Sequence, residues 1–307
     1  MNLPFCLWLW QRAKLKHDRL EIIVHEPFLA FGGGSRKQDL AAAVHRVMVV
    51  ILLNAASRVW VSIPDWETQL RPFVLGGKKS FGCLPVPSNI PVIHDPVGVT
   101  RVRAKYAFPG APLVGHFGAY DQYMMELMMG LLPSLLGGHD KVSVMLLGKG
   151  SLELRERLVE RYPDLQESVR ATGVLSAENI SRHISACDVM LQPYQDGVSG
   201  RRTSVMTALS HGIPVVTNAA QATESCWAET GAVVLTEVGN VTSMSREVNQ
   251  LLNDSVARKR MSGAALELYQ QNFDLEHTIC ALTERGCNGT NRRIDRTNEH
   301  QAELKQY

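Results

Sequence analysis

The chain has 307 residues, 45% hydrophobic and 20% charged, with 32 basic against 30 acidic side chains for a net charge of +2. That is globular composition, long enough for one large domain or two of average size, and it excludes disorder or fibrous structure for the bulk of the chain. The balance gives no sign of the clustered basic face that a nucleic-acid footprint requires.

In chain order, Leu3–Leu15 is predicted as a helix, EIIVHE (21–26) as a strand and Gln38–Ala55 as a helix. RVWVSI (58–63) is predicted as a second strand, followed by a short helix over Asp65–Leu70 capped by Asp65. Two apolar runs fall here. Leu3–Trp10 has eight residues and no basic segment before it, and Val47–Leu53 has seven, against the ~20 that cross a bilayer. Both are expected in the core. A peripheral membrane contact at the inner face, through Trp8, Trp10 and the basic Arg12, Lys14 and Lys16, stays open.

Residues 76–98 hold four prolines and four glycines with no helical period, and are expected to be a linker. Beyond it, short apolar runs alternate with helical patterns. Strands are expected at 112–117, 142–148, 169–173, 188–194, 213–218 and 232–235, with helices between them. Continuous apolar strands separated by helices indicate a parallel sheet covered on both faces. The expected organisation is an incomplete Rossmann-like front domain (1–75), a linker (76–98), a six-stranded Rossmann-like back domain (99–286) and a disordered polar tail (287–307).

Cys6, Cys83, Cys187, Cys226, Cys280 and Cys287 are scattered without a CxxC pair, so no zinc site is expected. They are read as reduced, mostly buried thiols of a cytoplasmic protein. The sequons at Asn179, Asn240 and Asn288 then carry no meaning.

Ligands of open parallel sheets bind beyond the carboxyl ends of the strands. The loops there are Gly118-Ala119-Tyr120, Gly148-Lys149-Gly150-Ser151, Gly173-Val174-Leu175 and Pro193–Ser204. The last is the richest. Gly197 and Gly200 are expected to let the backbone approach a ligand, with Tyr194 and Ser199 in the same loop. A helix starts near Arg201–Thr203, so its free N–H groups and dipole would face the loop. Arg201 and Arg202 add a fork suited to phosphate oxygens, and at least one guanidinium is expected to face Gly118 and Gly148–Ser151. In the front part, His25 stands at the carboxyl end of its strand.

The segment ATGVLSAENISRHISACDVMLQPYQDGVSGRRTSVMTALSHGIPVVTN (171–218) resembles the donor-binding half of family 4 glycosyltransferases of GT-B architecture. It is similar to their "G-x-l … a-D-v-x-l-x-P … E-G-f-g … E-a-m-a-x-G-x-P-V-V" pattern, and the likeness extends through VGHFG (114–118) and LLGKGS (146–151). The resemblance implies transfer of a hexosyl group from a nucleotide-diphosphate sugar to an acceptor hydroxyl, with retention and without a metal or other cofactor. The donor would lie between two Rossmann-like domains, the back one holding the nucleotide. By position, the family's acidic pair falls on Asp196 and Ser204, a departure at the residue that usually holds the ribose. The Arg and Lys that usually grip the diphosphate after the first strand are absent from GAYDQYMM. Arg201 or Arg202 would substitute, and His25 matches the strand-end histidine beside the donor sugar. The expected catalytic residues are therefore His25, Asp196 and Arg202. The nucleotide-sugar contacts are expected from Gly118, Tyr120, Gly148, Lys149, Gly150, Val174, Tyr194, Gly197, Ser199, Arg201, Thr203 and Ser204. The acceptor is a carbohydrate, lipid or small molecule that the residues do not name. A sugar-nucleotide epimerase and a degenerate, non-catalytic GT-B protein are the alternatives. The short front part suggests early βα units missing at the N-terminus, and a chain that binds nucleotide but transfers sugar poorly or not at all.

Overall fold

A computed structural model describes residues 2–32, 34–137, 142–221 and 223–283. The predicted tail (287–307), with Cys287 and Asn288, lies outside the described residues. The chain divides into two compact units, Met1–Val86 and Pro87–Tyr307.

The front unit runs α1 (Leu3–Leu15), β1 (Glu21–Val24), α2 (Arg36–Ala55), β2 (Arg58–Val61), α3 (Pro64–Leu70) and β3 (Ser80–Cys83). Its three strands pair in parallel in the order β1-β2-β3 over a small core that includes Leu53, Val59, Val61 and Leu70. β3 is a correction, because it lies inside the run predicted as a linker. SFGC has one bulky apolar residue and no alternation, so it carries no strand signal. Its glycine serves packing: a Cβ on Gly82 would lie 2.5 Å from the Trp60 ring of β2. Trp60 in turn donates its indole N–H to Glu21 Oε2 at 2.7 Å, tying β2 to β1.

Three further expectations change. Asp65 does not cap α3. The cap is Ile63, Pro64 opens the helix, and Asp65 instead accepts from Gln69 Nε2 at 2.8 Å. Proline suits that first position because its missing N–H would be unsatisfied anyway. The run Leu3–Trp10 is not core. Only Cys6 of α1 is buried, while Phe5, Leu7, Trp8 and Trp10 stay exposed. α1 packs against α2 and buries only the stripe that faces it, so its other apolar residues remain at the surface. The run Val47–Leu53 is buried in part, with Leu53 in the core and Val47 at the surface. It belongs to α2, which is long and apolar enough to cross a membrane by length and composition alone.

The back unit runs α4 (Pro96–Tyr106), β4 (Leu113–Phe117), α5 (Gln122–Leu136), β5 (Ser143–Leu147), α6 (Ser151–Arg161) and β6 (Val169–Ala171). It continues through α7 (Ala177–Ser185), β7 (Val189–Gln192), α8 (Thr203–Ser210), β8 (Val215–Ala219), α9 (Cys226–Glu229) and β9 (Val233–Glu237). Helices α10 (Val241–Asn253), α11 (Ser255–Asn272) and α12 (Leu275–Thr283) close it. The six strands form one parallel sheet in the order β6-β5-β4-β7-β8-β9, as the alternating runs predict. Two hydrophobic clusters cover its faces. One contains Leu113, Met145, Met190, Val215 and Trp227; the other contains Val114, Leu132, Leu146, Val189 and Val216. Consecutive strand residues alternate between the clusters, which is why both faces read as apolar.

Helix α4 begins within the predicted linker, where Pro96 starts the helix rather than breaking the chain. Asp95 caps it, accepting from Gly98 N at 2.8 Å. Asp188, of the ACDV motif, sits at the amino edge of β7 and serves structure. Its Oδ2 accepts from Leu113 N at 2.8 Å and from Arg103 Nη2 at 2.9 Å. Among the thiols, Cys6 and Cys187 are buried, Cys83 and Cys226 are partly so, and Cys280 is disulfide-bonded, against the expectation that all are reduced. Spacing alone carries no sign of that bond.

Leu132 of α5 is fully buried against the sheet. Leu132→Ala should cost the back unit about 2–5 kcal/mol in urea unfolding, the range for a buried leucine whose cavity does not collapse.

Candidate nucleotide site at the carboxyl edge of the back sheet

The back sheet winds outward from β4 through β5 to β6, then returns to place β7 on the other side of β4. That reversal opens a crevice at the carboxyl ends of β4 and β7, where open parallel sheets bind their ligands.

On one side of the crevice three loops are joined through their backbones. Gly118 N donates to Leu147 O at 3.1 Å, Tyr120 N to Lys149 O at 3.0 Å, and Gly148 N to Gly173 O at 3.1 Å. Gly173 N donates to Ser151 Oγ at 3.0 Å. The predicted residues Gly118, Gly148, Lys149 and Gly150 are thus brought together, with Val174 beside them and 76% exposed. Gly148 has φ +117°, and a Cβ there would lie 2.0 Å from the Gly118 carbonyl oxygen. No other residue fits. Tyr120 is a correction in kind: its ring is buried, and its hydroxyl lies 2.7 Å from His116 Nδ1, so it supports the loop from the core.

On the other side stands the loop Pro193–Arg202, held by the end of β8. Asn218 Oδ1 accepts from Tyr194 N at 2.7 Å, Asn218 Nδ2 donates to Tyr194 O at 2.5 Å, and Asn218 O accepts from Val198 N at 2.8 Å. Gly197, at φ +80°, packs where a Cβ would lie 2.5 Å from Ala220 N. Its glycine therefore serves loop-on-loop packing rather than ligand approach. Gly200 is likewise engaged, its N–H donating to Glu224 Oε1 at 2.9 Å. Ser199 is buried and accepts from Arg202 N through its carbonyl at 3.0 Å. Thr203, the first residue of α8, is exposed.

Arg201 and Arg202 both donate to the Asp196 carboxylate, one to each oxygen. This differs from the expected aim at Gly118 and Gly148–Ser151: the nearest acid in sequence captures both guanidiniums. Arg202 also lies over the Tyr194 ring at 4.7 Å. The Tyr194 hydroxyl pairs with Ser204 Oγ at 2.8 Å, and burial pushes this phenol up to about 12 against the opposing pull of Ser204 and Arg202. Sequence reasoning missed Asn218 and Glu224. Glu224 also accepts from Trp227 Nε1 at 2.8 Å; burial raises its carboxyl, against these donors and the Arg201 charge.

The helix ends single out the same region. α4, α5, α7, α10 and α11 each have a first-turn N–H bonded by their own cap, from Asp95, Asp121, Ser176, Asn240 and Asp254. α6 and α8, which start from β5 and β7, have no such bond from Gly150 or Arg202. In α6 the Ser151 N–H turns back to Gly148 O at 3.3 Å, and in α8 the Val205 N–H meets the Tyr194 hydroxyl, so neither helix draws on its own cap residue.

In the front unit, His25 follows β1 and is exposed, with Nδ1 2.7 Å from Ser62 Oγ. Ser62 is buried, and its hydroxyl donates to Val24 O at 3.3 Å. The ring is thereby held at the carboxyl edge of its own sheet. Among the described residues, no cluster of three or more His, Cys, Asp or Glu side chains could hold a metal.

Residues 111–254 match the family model described as glycosyl transferases group 1. The match lies wholly within the back unit. No curated protein matches the chain. Among solved structures, sucrose-phosphate synthase from Thermosynechococcus elongatus aligns at 18% identity and TM-score 0.69, covering 91% of this chain and 70% of that one. Anabaena HepE, solved with UDP and glucose, aligns at 19% identity and TM-score 0.66, covering 91% and 74%. WaaG, a glycosyltransferase of lipopolysaccharide biosynthesis, aligns at 15% identity and TM-score 0.69, covering 94% and 83%. The fold is GT-B, with two Rossmann-like domains.

Two variants test the site's architecture. Asn218→Ala should destabilise the back unit by about 1–3 kcal/mol in denaturant unfolding, because it leaves the buried Tyr194 N–H unpaired. His116 is the second. Burial lowers its imidazole from 6.5 to about 3, so the folded state holds it neutral while the unfolded chain protonates it. Its contribution is present above pH 6.5 and is lost as pH falls from there towards 3. His116→Gln should make the fall in melting temperature over that window shallower. His183 and His211, shifted the same way, keep part of the slope.

Proposed function

We propose that the chain is a nucleotide-sugar-dependent glycosyltransferase whose back unit binds the donor at the β4–β7 crevice. The observation that carries this reading is the coincidence of three features within the matched 111–254 region. These are the joined glycine loops, the uncapped N-termini of α6 and α8, and an arginine pair at the start of α8. Anabaena HepE, with a similar fold, is solved with UDP and glucose, which supports a nucleoside diphosphate as the shared part of the ligand.

Chemically, the leaving group is a nucleoside diphosphate, and the barrier falls as its developing charge is stabilised. Arg201, Arg202 and the N–H groups of α8 would supply that, with no metal assigned. Membership of family 4, hexosyl transfer and retention of configuration are part of this proposal, as is Arg202 as a catalytic residue, with Asp196 acting through the arginine fork rather than on the sugar. His25, on the front unit, is proposed to act on the sugar rather than on the nucleotide. A cytoplasmic location also belongs to the proposal, with the exposed Trp8 and Trp10 as the place for a peripheral membrane contact.

One observation favours a second reading, a nucleotide-binding protein without turnover. Ser204 stands where the resemblance places the ribose-binding carboxylate. Its hydroxyl is taken by Tyr194, and the first turn of α8 holds no acidic residue.

A thermal-shift screen against UDP, GDP and ADP tests binding. One of them at about 100 times its dissociation constant should stabilise the protein by about 2.7 kcal/mol. Arg201→Ala with Arg202→Ala should abolish the shift, and an unchanged shift overturns the site. Release of free sugar from the matching nucleotide sugar then separates the readings. Turnover that His25→Ala lowers without changing the thermal shift supports transfer; no turnover with an intact shift supports the binding protein.

A further inference from the structure

The two guanidiniums at the start of α8 both donate to the Asp196 carboxylate, so an incoming diphosphate meets a fork that already holds an anion. Asp196 holds one guanidinium on each oxygen. Glu224 lies close enough to Arg201 to feel its charge. The two acids are held very differently. Glu224 Oε1 takes the Gly200 N–H at 2.9 Å and its Oε2 takes the indole N–H of Trp227, which is fully buried. To leave, it would have to abandon both donors inside the protein. Asp196 has a side chain 45% exposed, while its arginines are 14% and 25% exposed. It can swing into water at small cost, because a carboxylate regains its hydration there. The arginines stay behind. Arg202 lies over the Tyr194 ring, and Tyr194 is fixed by Asn218.

We propose that Asp196 is a displaceable counter-ion that occupies the arginine fork until a diphosphate takes its place, with Glu224 as the fixed counter-ion. This rests on the reading of the β4–β7 crevice as a nucleotide site. Asp196 then stabilises the empty loop, because two like charges would otherwise lie side by side. It also lowers apparent affinity, because the ligand must compete with an internal carboxylate. Displacement frees one net positive charge at the site, in the place where the leaving group becomes more negative.

The test is calorimetric titration of the full chain with inorganic pyrophosphate, with UDP, GDP and ADP, and with the nucleotide sugar of the preferred diphosphate, without divalent metal. Asp196→Asn, checked for folding by circular dichroism, should bind pyrophosphate and the preferred diphosphate about tenfold tighter than the parent. Its affinity should also fall more steeply with salt, because the fork carries one more uncompensated charge. Asp196→Ala should follow the same direction, which covers misfolding of either variant. Equal or weaker binding by both folded variants overturns the proposal. A different result overturns the site itself: parent binding that Arg201→Ala with Arg202→Ala leaves unchanged. If both Asp196 variants weaken only a nucleotide sugar and leave pyrophosphate alone, Asp196 contacts the sugar and is not a competing ion.

Discussion

The Pro193–Arg202 loop depends on the side chain of Asn218. A loop of ten residues between β7 and α8 has backbone groups that must be satisfied without a ladder of its own. One carboxamide at the end of β8 meets both the N–H and the carbonyl of Tyr194, and the Asn218 main chain takes Val198. With Tyr194 fixed, its ring gives Arg202 a surface and its hydroxyl closes on Ser204. The loop after β8 completes the frame through Ala220 against Gly197 and Glu224 against Gly200. The neighbouring strand end fixes the ring under Arg202, while Asp196 of the same loop holds both guanidiniums.

That arrangement separates geometry from charge. Fixed donors and the stacked Arg202 guanidinium would set where an anion sits, while the count of carboxylates would set how strongly it is drawn. An Arg-rich loop with matching acids holds a defined shape when empty and avoids the repulsion that two adjacent guanidiniums would otherwise suffer. Affinity then depends on which acid yields first, a matter of burial rather than of distance.

The back sheet was legible because strands buried on both faces are unbroken apolar runs, and the helices between them differ in period and in flanking glycine. GVLSAEN, LLGKGS and VGHFG announced strand ends, so the crevice could be located from spacing alone. The front sheet was less legible. Ser80–Cys83 has no apolar pattern of its own and is a strand because Trp60 needs a glycine beside it. Pro96 reads in the sequence as punctuation, although a proline after an aspartate opens α4. Within the site, the loops were found but their partners were not. Asn218 and Glu224 each bond to a residue 24 positions away, across a helix and a strand, and nothing in the polar run around Glu224 marks it. Glycines 197 and 200 also serve the neighbouring loop, through Ala220 and Glu224, a role the sequence does not mark.

The helix termini complete the argument, because they show which helices go without a cap of their own. A capping side chain raises helix stability by about 1 kcal/mol, and five back-unit helices use one. α6 and α8 forgo it, although each follows a loop rich in polar residues. For α6 the reason is steric: Gly150, at φ +87°, brings the loop within reach of the Tyr120 carbonyl, and a larger cap residue would collide with it. For α8 the cap position is an arginine, which has no acceptor to offer its own helix. A residue that cannot satisfy the N–H groups and adds positive charge beside them is unfavourable for an isolated helix. It becomes favourable when an anion occupies the terminus, and the helix then gains its missing cap from the ligand. In this unit the helices that follow the two neighbours of β4 go without a side-chain cap, as the short α9 also does.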